Sequence, residues 1–302
     1  MTVLILYWRH RLFLLTLAML FIQACVVPVV VAAEKNRELL IGVEPEHNIF
    51  DQMQRYRALA GYLSDQLGVE VKLTIMSRYG EVAKRLESLR LDGAFLSSYT
   101  ATLAIKEFGL TPVANLVRLD GESTSQGYIL VRQDSGIKTV EDMRGKSVVF
   151  VDSASTEGYL FARLFFRKQG VQDMNSYFNR HYFSGSYASA VFAVLDGRAD
   201  VGAAKDTVYN QLVRRDPSIQ HELSIIGKSP AVPEVTFCIK SDIAPELLEK
   251  MRNALLSMGQ TVEGYKILKQ LEASRFIVSD SSDFTVVSEM IEDVEGYADE
   301  QQ

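Results

Sequence analysis

Short apolar runs alternate with amphipathic stretches through most of this chain, and that alternation is what most narrows its fold. Leu39 to Val43 reads as a strand, followed by Gln52 to Leu67 with Met53, Tyr56, Leu59, Ala60, Leu63 and Leu67 at helical spacing and Gly68 as a stop. Val69 to Ile75 is again strand-like. Gly80 to Leu89 is helical, with Val82, Leu86 and Leu89 on one face, and Gly93 to Leu96 is a short buried strand. A second round runs from the strand Ser147 to Val151 into a helix, Tyr159 to Lys168, whose closing Arg167 and Lys168 precede Gly170. Such succession predicts an α/β fold of mostly parallel sheets covered by helices on both faces.

At 302 residues the chain is large enough for two lobes rather than one core. The halves echo each other: Leu89 to Phe95 and Leu195 to Ala203 each carry a helix end through acid and glycine into a buried strand. Between the rounds, Gln126 to Arg132 and Glu234 to Lys240 are extended apolar runs suited to cross from one lobe to the other and back. This predicts a discontinuous first lobe, 34–128 plus 232–302, and a second lobe, 129–231, with the ligand crevice between them at the carboxyl ends of strands. Pro245 to Met258 reads as a helix with Asp242 as a capping candidate, and the acidic Phe284 to Tyr297 as a solvated outer helix.

The first 33 residues join a basic start, Arg9-His10-Arg11, to an apolar stretch ending Val31-Ala32-Ala33, the pattern of a secretory signal cut after Ala33. Two other readings stand beside it: a lipoprotein signal at Ile22-Gln23-Ala24-Cys25, and a retained membrane anchor interrupted by Gln23 and Pro28. Without Arg9 and Arg11, 30 basic side chains face 38 acidic ones, a net charge of about −8 that argues against nucleic acid as a partner. Once Cys25 leaves with the signal, Cys238 has no cysteine to pair with and reads as a small buried hydrophobe.

Four histidines (His10, His47, His181, His221) at unrelated spacings form no metal-ligand pattern, so no metal and no cofactor is expected. There is no Gly-x-x-x-x-Gly-Lys-Ser/Thr loop and no Gly-x-Ser-x-Gly elbow. What the chain does offer is hydroxyls just beyond strands or opening helices: Ser77 and Tyr79, Ser97 to Tyr99, Ser153, Ser155 and Thr156, and Tyr187. The run Val148 to Leu160 is the sharpest case, because strand gives way to Ser153-Ala154-Ser155-Thr156 where a helix begins. Free amides at a helix start favour an anion, and hydroxyls add directional bonds without fixed charge. Helix capping by Ser155 and Thr156, core edges for Tyr79 and Tyr99, and a surface place for Tyr187 are the plainer alternatives.

With Leu40-Ile41-Gly42-Val43-Glu44-Pro45, Ser77 to Val82, Ala94-Phe95-Leu96-Ser97-Ser98-Tyr99, the Asp152 to Gly158 turn and Asp196 to Val201 in this order, the chain resembles the periplasmic solute-binding proteins of phosphonate, phosphite and phosphate ABC transporters, the PhnD-like group. The likeness spans Leu39 to Met258. It implies a two-lobed, type II-like periplasmic binding protein that closes over its ligand. It further implies phosphoryl oxygens held at Ser155 and Thr156, tyrosine contacts from Tyr79 and Tyr99, and Asp206 and Glu234 near an aminoalkyl tail. Two positions depart from the group: Glu157 stands where a small hydroxyl residue is frequent, and Tyr187 where histidine is.

The function expected is capture of a small oxyanion, phosphonate or phosphate in type, by a monomer in the periplasm. Its partner is an ABC permease or a membrane sensor, and membrane association comes only through a retained anchor or lipid. The other readings are an enzyme with Ser155 or Tyr187 as nucleophile and Asp206 or Glu234 as base, and a structural envelope protein.

Overall fold

A computed structural model describes residues 38–45, 49–78, 81–88 and 91–299. The leader, Cys25, His47 and Tyr79 lie outside the described residues. Strands β1 (Glu38–Val43), β2 (Glu70–Ile75), β3 (Gly93–Leu96) and β4 (Leu110–Arg118) alternate with helices α1 (Ile49–Leu67), α2 (Val82–Ser88) and α3 (Ser98–Phe108). The chain then crosses through β5 (Thr124–Ser125) and builds β6 (Gly127–Arg132), β7 (Ser147–Phe150), α4 (Phe161–Lys168), β8 (Arg180–Phe183), α5 (Tyr187–Leu195), β9 (Val201–Lys205), α6 (Asp206–Arg215) and β10 (Leu223–Lys228). It returns through β11 (Val232–Pro233) to β12 (Thr236–Lys240), α7 (Pro245–Ser257), α8 (Val262–Gln270), β13 (Ala273–Val278) and α9 (Thr285–Asp299).

Two mixed sheets result, in the orders β13-β4-β12-β3-β1-β2 and β10-β6-β9-β7-β8. The expectation of mostly parallel sheets needs correction, and the reason is topological. Strands joined by helices, β1 to β4 in one sheet and β7 to β9 in the other, all run one way, as right-handed crossovers require. The strands that arrive from the other lobe insert against them: β12 is antiparallel to β3 and β4, and β6 is antiparallel to β9. The two crossings lie side by side as the antiparallel pair β5-β11, so one short ribbon joins the lobes.

Each sheet has an apolar cluster on both faces, which is why its strands are nearly continuous in apolar residues. On α1 the buried stripe of Tyr56, Leu59, Leu63 and Leu67 extends back to Gln52 rather than to Met53. Gln52 is one turn earlier on the same face and donates to the backbone oxygen of Glu44; Met53 remains exposed. The helix stops at Gly68, whose φ of 71° is left-handed. Asp242 does not cap α7, which starts after Ala244 with Pro245 in its first turn.

The C-terminal helix also departs from expectation. It is not simply a solvated outer helix: Val287, Met290, Ile291 and Val294 are buried in the same cluster as Ile129, Phe150 and Phe161. These side chains recur at i, i+3, i+4 and i+7, and each is worth roughly 1.5–3 kcal/mol when buried. Surface ion pairs flank the stripe on both sides, Lys106 with Glu292 from α3 and Lys168 with Asp293 from α4, so α9 straps the two lobes together.

Candidate ligand site between the lobes

The second-lobe helix opens in an unusual way. After β7 the chain turns at Asp152, whose backbone oxygen accepts Ser155 N–H at 3.0 Å and Ser155 Oγ at 2.8 Å. The first helical turn, Thr156–Leu160, is a wide π-turn in which Leu160 N–H reaches Ser155 O at 3.1 Å. Such turns are rare and favour functional positions. Gly158 allows it: a Cβ there would stand 2.5 Å from Val151 and 2.8 Å from the Ser155 hydroxyl. Gly127 on the crossing strand has the same role, since its Cβ would meet Phe161 at 2.5 Å. The helix start therefore lies tight against the strand that enters from the first lobe.

Thr156 bridges the lobes. Its Oγ1 accepts the backbone N–H of Tyr99, in the first turn of α3, at 2.8 Å, so the two helix starts meet across the interface. Beside it Ser98 Oγ donates to Pro233 O of the crossing ribbon. The Tyr99 ring is partly buried against both second-lobe clusters.

Glu157, only 3% exposed, turns its carboxylate away from its own helix. Oε1 accepts Ser125 Oγ at 2.7 Å, Oε2 accepts Tyr187 OH at 2.8 Å, and Lys205 Nζ stands 3.9 Å from Oε1. Lys205, at the end of β9, makes its short ion pair with Glu234 Oε2 at 2.7 Å, and Arg118, at the end of β4, donates to Glu234 Oε1 at 2.7 Å. Buried charges persist only when paired and hydrogen-bonded, and each partner here comes from a different element. Burial pushes the Glu234 carboxyl upward, but Lys205 and then Arg118 overcome it and hold Glu234 below the ordinary carboxylate range.

A cavity of about 660 Å³ opens onto this network between α1 and the end of β4 on one side and α5, β9 and α6 on the other. Tyr187, Lys205, Glu234 and Arg118 line it, with Arg55, Arg214 and Arg215 also on its wall. Arg55 pairs with Glu272 at 3.0 Å, whereas Arg214 and Arg215 are exposed. A cleft with a buried charged floor and largely polar, arginine-bearing walls has the chemistry to hold a small charged solute.

Of the residues singled out in the sequence, Tyr99, Thr156, Glu157, Tyr187 and Glu234 come together where the lobes meet. Ser155 is fully buried, and its hydroxyl is spent on the Asp152 turn. Asp206 ties the crossing strand to α6, accepting N–H groups from Gln126 at 3.1 Å and Thr207 at 2.7 Å. Burial pushes its carboxyl upward, opposed in part by the Gln126 N–H. Not every hydroxyl faces the crevice: Ser153 is exposed, and Ser77 donates to Glu81 on the surface.

The sequence pattern does not single out Arg118, Ser125, Lys205 or Glu44. Three of them sit at the carboxyl ends of strands, the place ligands favour in α/β sheets, and that placement is the signal that points to them. Among the described residues no group of three or more His, Cys, Asp or Glu side chains could hold a metal, and no helix is long and apolar enough to cross a membrane. Burial, with Glu44 nearby, pushes the Cys238 thiol upward, so it behaves as an inert hydrophobe.

Two α/β lobes joined by a paired crossing, with a polar cleft between them, define a two-lobed solute-binding protein. Residues 41–284 match the family described as "ABC transporter, phosphonate, periplasmic substrate-binding protein", and the chain belongs to that family. It is 26% identical over 217 residues to the phosphate-import protein PhnD of Mycolicibacterium smegmatis, covering 69% of this chain and 68% of that one. It is 22% identical over 253 residues to the phosphonates-binding periplasmic protein of Escherichia coli, covering 82% and 74%. The binding protein component of an ABC phosphonate transporter from Pseudomonas aeruginosa superposes with a TM-score of 0.75 at 21% identity, over 87% of this chain and 88% of that one. PhnD1 of Prochlorococcus marinus, solved with methylphosphonate, gives 0.70 at 19% identity over 85% and 98%.

Proposed function

We propose that this protein captures a small oxyanion of the phosphonate or phosphate type in the interlobe cleft and presents the closed form to an ABC permease in the periplasm. One observation carries the reading: in a chain of this family, a cleft lined by Arg118, Lys205 and Tyr187 opens onto a network whose members come from both lobes. A solute that touches both sides favours the closed arrangement by its differential affinity for it. The M. smegmatis and P. marinus relatives, named for phosphate import and solved with methylphosphonate, support that ligand class.

The reading includes export through the N-terminal leader with cleavage after Ala33, a monomer, and binding without catalysis. Binding without catalysis is supported by where the two hydroxyls are engaged: Tyr187 donates to Glu157 and Ser155 to a backbone oxygen. Glu234, held ionised by two cations, is a poor base.

The test is a thermal-shift screen of the protein from Glu34 onward against phosphate, phosphite, alkyl- and aminoalkylphosphonates, sulfonates and dicarboxylates. A ligand at about 100 times its dissociation constant adds about 2.7 kcal/mol of stability. If no oxyanion moves the transition, the assignment is wrong.

A further inference from the structure

The donors that meet at Glu157 have the layout of a small-anion site, and the anion they hold is one of the protein's own side chains. Ser125 and Tyr187 each donate to a different carboxylate oxygen, and the Lys205 ammonium stands beside the first. They come from three separate elements, the crossing ribbon, α5 and β9. Two hydroxyls and a cation around a pair of oxygens is how a free carboxylate or phosphonate edge is held. The helix does not depend on Glu157 for its cap: the carboxylate is spent on side chains of other elements, and the Ser155 side chain makes no cap bond either. Tyr187 and Lys205 also line the open cavity, so a solute there approaches the same donors from the other side.

Resting on the reading of the cleft as an oxyanion site, we infer that Glu157 is a tethered occupant of that site, so that a free oxyanion binds by displacing its carboxylate from Ser125 and Tyr187. A tethered competitor acts at an effective concentration of millimolar or more, which weakens every free rival. Glu157 is thus a specificity-determining residue. It selects solutes able to outcompete a carboxylate for two hydroxyls and a lysine, and it excludes simple monocarboxylates such as formate and acetate. Without its carboxylate, the vacated position takes those monocarboxylates directly.

The experiment compares wild type, Glu157→Ala and Glu157→Gln, each expressed as the full chain, by thermal unfolding and calorimetric titration with formate, acetate and methylphosphonate against chloride at equal ionic strength. Formate or acetate is expected to raise the unfolding midpoint of Glu157→Ala and leave wild type and the shape-filling Glu157→Gln unmoved. Methylphosphonate is expected to bind Glu157→Ala at least tenfold more tightly than wild type. An alanine variant indifferent to both carboxylates overturns the inference. If that variant does not fold alone, formate or acetate must restore its folding, and failure of both to do so overturns the inference equally. The two readings fail separately. Carboxylate rescue with no phosphonate binding by any form sinks the phosphonate assignment alone; phosphonate binding by wild type with no rescue of the alanine variant sinks the tethered occupant alone.

Discussion

At the start of α3 a carboxylate comes to the helix from outside: Glu44, just past β1, accepts Ser97 N–H at 2.7 Å and Thr100 Oγ1 at 2.8 Å. At the start of the second-lobe helix the carboxylate belongs to the helix itself, and Glu157 directs it to Ser125, Tyr187 and Lys205 on three other elements. Both glutamates are buried and both lie beside hydroxyl-rich helix starts at strand ends. Glu44 satisfies an orphan amide at the positive end of the dipole, which is structural capping. Glu157 leaves that work undone and occupies a set of side-chain donors that face the cleft. A buried acid at a helix start is therefore not informative by type; the destination of its oxygens separates a cap from a site.

The comparison breaks most visibly at Lys205. Lys205→Met strips a cation from two buried carboxylates and is expected to cost about 3–5 kcal/mol in chemical denaturation. A loss under 1 kcal/mol would mean that the network is not closed in solution. The same variant tests acid sensitivity. Because Glu234 is held below its ordinary value of 4.5, its contribution to stability is present above that pH and is lost as pH falls through the depressed value. Wild type should lose stability on acidification below about pH 4.5, and Lys205→Met should show a shallower slope there.

Glu44→Gln sharpens the other half. It weakens the acceptor for Ser97 N–H and Thr100 Oγ1 and should cost about 1–3 kcal/mol, with oxyanion affinity within twofold of wild type once the folded fraction is taken into account. Affinity falling tenfold would put Glu44 in the site. Smallest is Thr156→Val, which removes the acceptor of Tyr99 N–H and should cost about 1 kcal/mol while weakening ligand binding by loosening the interlobe contact. Equal affinities would confine Thr156 to packing.

Much of the fold could be read from periodicity, because apolar stripes must face a core whatever surrounds them. Both rounds of strand and helix fall within a few residues of the observed elements, and the two extended runs become the sheet strands β6 and β12 that directly follow the crossings at β5 and β11. Sheet order could not be read, since whether β12 enters between β3 and β4 depends on which edge the returning chain meets. The stripe on α9 was hidden by its acids, whose number masked the spacing of Val287, Met290, Ile291 and Val294. At the cleft, hydroxyls and acids are legible through their place after strands. Lys205 and Arg118 are not, because a lone cation at a strand end ordinarily points to water, and only tertiary packing brings Glu234 between them.

The most direct measurement is a phosphorus-31 NMR titration of methylphosphonate with the protein from Glu34 onward. Binding without catalysis is expected to shift or broaden the single resonance until one equivalent is bound, with its intensity conserved and no second signal growing. A resonance untouched by excess protein, or a new phosphorus signal that increases with time, contradicts capture of an oxyanion in the interlobe cleft.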